Sequence, residues 1–279
     1  MPKPTNAVRL ILIAGAMVFS ASARDAVPPV YFHHTTISVT SDTYEAFKAS
    51  PLLQEEFSGS ERTTHADGGA RVSTGFYLPG MHTHLELFKA GPSAPPSVGT
   101  IGVGMWIDHR TRLSILSDRL GLPEIRTRLD AQGQPWYDFL RAGSKPPEGV
   151  GTWILANYPD GTTRDRGFLG TDYRPGGLFR DVVAYTVTVS AEERIELLRW
   201  FRAYGYSIRE DGEKRIATGP EFTLTMLPEP ASGPRTAVIK MTLNREKTGE
   251  QTYKIGDSER KFNKDRATLT FRFPQPDRH

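Results

Sequence analysis

Residues 31–48 read YFHHTTISVTSDTYEAFK. Tyr31 to Val39 predict an alternating strand, Ser41 and Asp42 a polar cap, and Tyr44, Phe47 and Leu52 one face of a helix. The same order recurs twice. Thr100 to Ile107 lead through Asp108 into a helix with Leu113, Leu116 and Leu120, ending at Gly121. Val182 to Val189 lead through Ser190 into a helix with Ile195, Leu198 and Phe201, ending at Gly205. Asp42 with Glu45, and Ser190 with Glu193, have the spacing of capping boxes. The terminal glycines read as helix C-caps.

Strand residues i and i+2 share a face. One face carries Tyr31, Ile37 and Val39, then Ile101, Val103, Met105 and Ile107, then Val183, Tyr185, Val187 and Val189. These apolar faces suit packing on the helices. The opposite faces are Phe32, His34, Thr36 and Ser38, then Thr100, Gly102, Gly104 and Trp106, then Val182, Ala184, Thr186 and Thr188. They are mostly small or polar, which predicts a curved sheet around a cavity. Further alternating runs follow each helix: Ala70–Tyr77, His82–Lys89, Gly151–Tyr158, Glu221–Met226, Ala237–Thr242 and Ala267–Phe273. Strands that follow each β-α start favour an α+β class over parallel α/β. Pro92 to Pro96 and Gly161 to Gly177 read as linkers. The charged hairpin from Arg245 to Arg266 reads as a solvated surface element.

The 279 residues are 38% apolar and 24% charged, enough for a real core and too apolar for disorder. There is no cysteine, which excludes disulfides, thiolate zinc sites and thiol nucleophiles. Lys3 and Arg9, an apolar run from Leu10 to Phe19, and Ala21-Ser22-Ala23 stand in the order of a secretory leader. We read residues 1–23 as a signal peptide and the protein as secreted or periplasmic; the alternative is an uncleaved anchor. Net charge is +3, and losing Lys3 and Arg9 leaves 33 bases against 32 acids. No charge block favours nucleic acid, and no second apolar run predicts a membrane span after cleavage. The expected partner is a small-molecule ligand.

Five of the seven histidines fall between His33 and His84. In His82-Thr83-His84-Leu85-Glu86-Leu87, the leucines suit the helix-packed side. That turns His84 and Glu86 into the cup, where His34 also points. Imidazole with carboxylate suits a divalent metal such as Zn, Mn, Fe or Ni. Side chains at i and i+2 stand ~7 Å apart and can converge, whereas His82 and Glu86 at ~13 Å cannot share an ion. His82 reads as an exposed polar residue, His33 as a satisfied core histidine and His109 as solvated. His65, at a strand end or turn, is a candidate third ligand. A bound ion would polarise a carbonyl or enolate oxygen, with His84 and Glu86 as candidate catalytic residues and His84 as the base. There is no Gly-x-Ser-x-Gly elbow, phosphate-cradling loop or paired-carboxylate pattern. His82-x-His84 is cupin-like, but Glu86 follows too soon and the βα repeats do not fit a jelly roll.

The βα repeats, the strand from His34 to Val39 and the strand Leu85-Glu86-Leu87 resemble the vicinal oxygen chelate, or glyoxalase-like, superfamily. The first module is similar to a poorly characterised bacterial branch of it. The resemblance implies βαβββ modules paired into a cup: residues 24–175 as paired modules, and 176–279 as a third with a C-terminal hairpin. It also implies that His34 on a first strand and Glu86 on a fourth hold a divalent metal that chelates neighbouring substrate oxygens. The second and third units have Gly102 and Ala184 at the His34 place, and Val238, Ile239 and Lys240 offer no carboxylate. A metal would therefore rest on His34 and Glu86 with His84 or His65. Thr36, Gly102, Gly104 and Trp106 would contact substrate, with the glycines leaving room and Trp106 stacking. The reaction implied is that of a lyase, isomerase or dioxygenase; the superfamily also contains metal-free binding proteins. The third unit would pair either with the first two or with a second copy of the chain, as a homodimer.

Overall fold

Strand β1 (Tyr31–Val39) runs into helix α1 (Ser41–Lys48), a π-helical turn (Leu52–Glu56), and strands β2 (Ser60–Ala66), β3 (Arg71–Pro79) and β4 (His84–Lys89). In this computed structural model the described residues are 29–91, 97–122, 124–142, 149–158 and 172–274. The leader and the Pro92 to Pro96 linker lie outside them, as does most of the Gly161 to Gly177 linker. β4 returns parallel beside β1, and β3 and β2 follow antiparallel, giving βαβββ. The second unit repeats this order with β5 (Ile101–Trp106), α2 (Thr111–Leu120), β6 (Arg126–Leu129), β7 (Pro135–Arg141) and β8 (Val150–Asn157). The third uses β9 (Phe179–Val189), α3 (Ala191–Ala203), β10 (Ser207–Asp211), β11 (Lys214–Thr218) and β12 (Thr223–Pro228). A long hairpin, β13 (Arg235–Ile255) and β14 (Ser258–Phe273), ends the fold.

β1 pairs antiparallel with β5, so the first two units share one eight-stranded sheet, β2-β3-β4-β1-β5-β8-β7-β6. The third unit forms a six-stranded sheet in which β13 stands beside β9 as β5 stands beside β1. The class is α+β with a curved, cup-shaped sheet. The cup is drawn together where the β2–β3 turn reaches β6. There the Asp67 and Gly68 N–H groups donate to the Leu129 and Asp130 carbonyls at 2.9 and 3.0 Å. Arg128 also pairs with the Asp67 carboxylate. Asp67, Gly68 and Gly69 all have positive φ, which lets the turn fold this tightly.

The convex face of the eight-stranded sheet packs against the third unit in one hydrophobic cluster. Phe32 stacks on Phe222 at 4.2 Å, Phe57 on Phe179 and Phe47 on Phe271 at 5.8 Å each. Each such fully buried ring contributes roughly 1.5–3 kcal/mol by leaving water. The third unit therefore packs on the first two within one chain, beneath the cup and away from its hollow.

Four local expectations change. On α3 the buried residues are Leu197, Trp200 and Phe201, and Ile195, expected on that stripe, is exposed. Thr40, not Asp42, caps α1, its Oγ1 accepting from the Thr43 N–H at 3.3 Å. Leu52 opens the π-helical turn rather than extending α1. The charged hairpin is not solvated throughout: Arg260 and Phe262 are fully buried, and the Arg260 guanidinium lies 4.0 Å over the Phe57 ring. At its tip the Asp257 N–H donates to Thr43 Oγ1, which donates back to the Asp257 carboxylate, both at 3.0 Å. The expected Ser190–Glu193 capping box is present.

Glu193 also accepts from the Val150 N–H at 2.8 Å and from Arg235 at 2.7 Å, tying α3 to β8 and β13. Arg235 is buried and keeps Glu229 at 3.7 Å and the Thr188 carbonyl as partners, so loss of Glu193 removes its closest carboxylate but does not orphan the charge. Glu193→Ala is expected to lower the unfolding free energy by about 2–3 kcal/mol in urea titrations, through the lost bonds to Arg235, the Val150 N–H and the Ser190 N–H. A loss under about 1 kcal/mol would show that the network is dispensable.

Candidate functional site

The site begins with a one-residue irregularity in β1. Tyr31 and Phe32 pair with Trp106 and Met105, but His34 pairs with Gly104, so His33 is the extra residue of a bulge. The bulge reverses the phase expected for the first residues of the strand. Phe32 turns into the core and Tyr31 joins Trp106 at 6.0 Å on the concave side. His33, expected in the core, joins the wall of the cavity instead.

Three imidazoles then meet. His34 and His84 are register partners on parallel strands, and their rings stack at 4.9 Å and 6°. That spacing is the ordinary distance between neighbouring strands. His33 stands edge-on to both at 5.0 Å, and its Nδ1 lies 2.8 Å from His34 Nδ1. One ligand atom from each of the three lies within 4.8 Å of the others. Glu86, the next cup-facing residue on β4, has Oε1 2.8 Å from His84 Nε2. Burial dominates the electrostatics. It pushes His34 down to about 4, with the nearby Glu86 charge opposing and His84 adding to the shift. It pushes His84 down to about 3. It raises Glu86, against the pull of His34. His34 and His84 are thus held in the neutral form, the form in which an imidazole binds a cation.

These groups open into a cavity of about 580 Å³. Its aromatic wall comes from the second unit, as Trp136, Tyr137, Phe139 and Trp153, and Trp153 packs 5.2 Å from His34. Its other wall includes Tyr77 and Phe88 from the first unit. Arg71, Arg128, Arg141 and Lys89 are the basic residues of the lining.

Of the residues singled out from the sequence, His34, His84, Glu86, Thr36 and Gly102 line the cavity. His65 does not: it lies within β2, exposed, while its neighbours Thr64 and Ala66 face inward. Gly104 and Trp106 also stand behind the lining. A side chain at Gly104 would overlap the His34 ring, so this glycine makes room for an imidazole rather than for a ligand. Gly102 does the same for Thr36 and the Trp153 ring. Trp106 is covered by Phe139 and Leu155. His82 precedes β4, and its backbone and ring bind the Asp181 carboxylate at 2.8 and 3.2 Å. The arginines and most of the aromatic wall were not legible as a site, because β6 and β7 carry no clear alternation. The adjacent pair His33-His34 was the available sign that a bulge could bring both rings to one side.

A family described as "Family of unknown function (DUF5829)" matches residues 32–160, which span β1 to β8 and hence the eight-stranded sheet. No curated protein matches the chain. A hypothetical protein from Staphylococcus aureus is similar over 84% of this chain and 99% of its own, with TM-score 0.53 and 7% identity. At that identity the likeness is one of fold. A variant of 4-hydroxymandelate synthase from Streptomyces coelicolor is similar over 72% of this chain and 63% of its own, with TM-score 0.42 and 13% identity. A fusion of a xylose isomerase-like TIM barrel with a 4-hydroxyphenylpyruvate dioxygenase is similar over 74% and 32%, with TM-score 0.40 and 11% identity.

Two outcomes follow from this geometry. Gly104→Ala should displace His34 and cost about 1–3 kcal/mol in unfolding experiments; an unchanged midpoint would mean that the ring has room to spare. In metal-free protein, the unfolded chain protonates His34 near 6.5 while the native state holds it neutral to about 4. Acidification therefore favours the unfolded state. The stability of wild type relative to His34→Gln should fall as pH drops from 6.5 towards 4. A difference that is flat with pH would contradict the buried, neutral imidazole.

Proposed function

We propose that the cup is a metal-assisted site for a small molecule with two neighbouring oxygens, acting as a glyoxalase-like lyase, isomerase or dioxygenase. The observation that carries the reading is the meeting of three buried imidazoles on one wall of the cavity. Nitrogen ligands about 2.1 Å from an ion stand about 3.4 Å apart. Donor atoms within 4.8 Å reach that spacing by side-chain adjustment. His33, His34 and His84 would hold the ion, and Glu86 stands beside His84 where a carboxylate orients a ligating ring. The ion would supply Lewis acidity towards a carbonyl or enolate oxygen.

The other steps belong to the chain. Glu86 sits in a dry environment that raises its proton affinity, which suits a carboxylate that takes a proton from a carbon acid and returns it. The aromatic wall excludes water and holds a planar body. Thr36, beside Glu86 in register, offers a hydroxyl to the same ligand. In this reading the donor set would differ from the expected His34, Glu86 and His65 or His84, with His33 in place of the exposed His65 and Glu86 in a proton-handling role. The leader in the sequence supports placing this activity outside the cytoplasm, secreted or periplasmic. No helix among the described residues is long and apolar enough to cross a membrane.

Elemental analysis of the untagged protein, titrated with Zn, Mn, Fe, Ni and Co, tests the reading. About one ion per chain is expected, lost in His34→Ala and His84→Ala and weakened about 10–100-fold, but not abolished, in Glu86→Gln. Failure of every metal to bind would overturn it and leave a metal-free ligand site. Thermal-shift screening of small molecules would then identify the occupant.

A further inference from the structure

We infer that the outer part of the cavity is an oxyanion site, which takes a small planar molecule carrying a carboxylate or phosphate on Arg71, Arg128 and Arg141. The inference rests on the reading of the cup as a small-molecule site and not on a metal.

The three arginines come from the two ends of one sheet. Arg71 begins β3, while Arg128 and Arg141 lie on β6 and β7. Curling of the sheet brings them to one cavity. On β7, Tyr137, Phe139 and Arg141 share a face, and the register sets Arg128 opposite Tyr137. Arg141 stands opposite Trp153 on β8, and Trp153 packs on His34. An anion on Arg141 is therefore separated from the imidazoles by the width of an aromatic ring.

The charge of the lining is one-sided. With Lys89 it carries four cations, and Glu86 is its one carboxylate among the described residues. Asp67 pairs with Arg128 from outside the lining, and this contact draws the two sheet edges together. It fixes where Arg128 sits, and Glu45 outside the lining likewise pairs with Lys89 at 3.7 Å, so the lining keeps a modest positive excess. Arg141 is lowered by burial and then by the charges of Arg126, Arg71 and Arg128. Guanidiniums crowded on a half-buried spot repel one another, and an anion among them removes that cost. Planar guanidinium forks match carboxylate and phosphate oxygens in pairs. The aromatic side chains between the arginines and the histidines add a slot for a flat apolar body.

The test uses the full mature protein stripped of metal, with benzoate, phenyl phosphate and benzyl alcohol as calorimetric probes. Benzoate or phenyl phosphate is expected to bind at least about tenfold more tightly than benzyl alcohol. The tighter of the two identifies the oxyanion. Arg141→Gln and Arg71→Gln should each weaken that probe by about tenfold, with thermal unfolding of the unliganded protein unchanged or raised because one of the crowded cations is gone. Arg141→Lys should restore only part of the loss. Arg209→Gln, at an exposed arginine of β10 outside the cavity, should keep the oxyanion affinity. Equal binding of all three probes, or arginine variants that fold and bind like wild type, would overturn the inference while leaving the metal reading intact. Loss of metal binding with oxyanion affinity retained would overturn the metal reading alone.

Discussion

The ladder between β1 and β5 is the constraint on which the site depends. It joins the first two units into one sheet and fixes His34 opposite Gly104 and Thr36 opposite Gly102. Because both partners are glycines, the concave face has room for His34, Thr36 and Trp153 exactly where side chains would otherwise collide. One extra residue, His33, then bends β1 so that two adjacent imidazoles reach the same cavity. A strand without that bulge would send His33 into the core and Phe32 into the cup.

The two halves of the cup divide the work. The first unit supplies the histidines and Glu86 from β1 and β4, which are central, parallel and buried. The second supplies an aromatic wall and two arginines from its outer strands. Among the described residues, the third contributes none of the lining. It repeats the same chain order but packs beneath the sheet, where Phe222 and Phe179 receive Phe32 and Phe57. Duplicated βαβββ units thus take three roles according to which residues occupy one small face.

Much of this was readable from the residues, and the rest was hidden for physical reasons. The three βα starts were visible because their strands alternate and their helices carry a regular apolar stripe. His34, His84 and Glu86 could be placed by phase, since a strand repeats every two residues. The edge strands were not visible. Ser60–Ala66, Arg126–Leu129 and Ser207–Asp211 are mostly polar or charged, with Leu129 and Ile208 as isolated apolar residues that set no alternation. The pairing of Pro135–Arg141 with Val150–Asn157 is therefore what brings Arg141 to Trp153, and no local pattern encodes it. The bulge was invisible for a similar reason, being a property of the ladder rather than of β1 alone. Arg260 masked the inward phase of β14, because a buried guanidinium on a phenyl ring looks like surface charge in the sequence.

The central claim is that the three imidazoles form a metal-binding centre. Anomalous diffraction from crystals of the untagged protein soaked in Co(II) or Zn(II) tests it most directly. The account predicts one strong peak within bonding distance of His33, His34 and His84, facing the cavity. A map with no peak there, or with the ion held only by exposed residues such as His65, would contradict it.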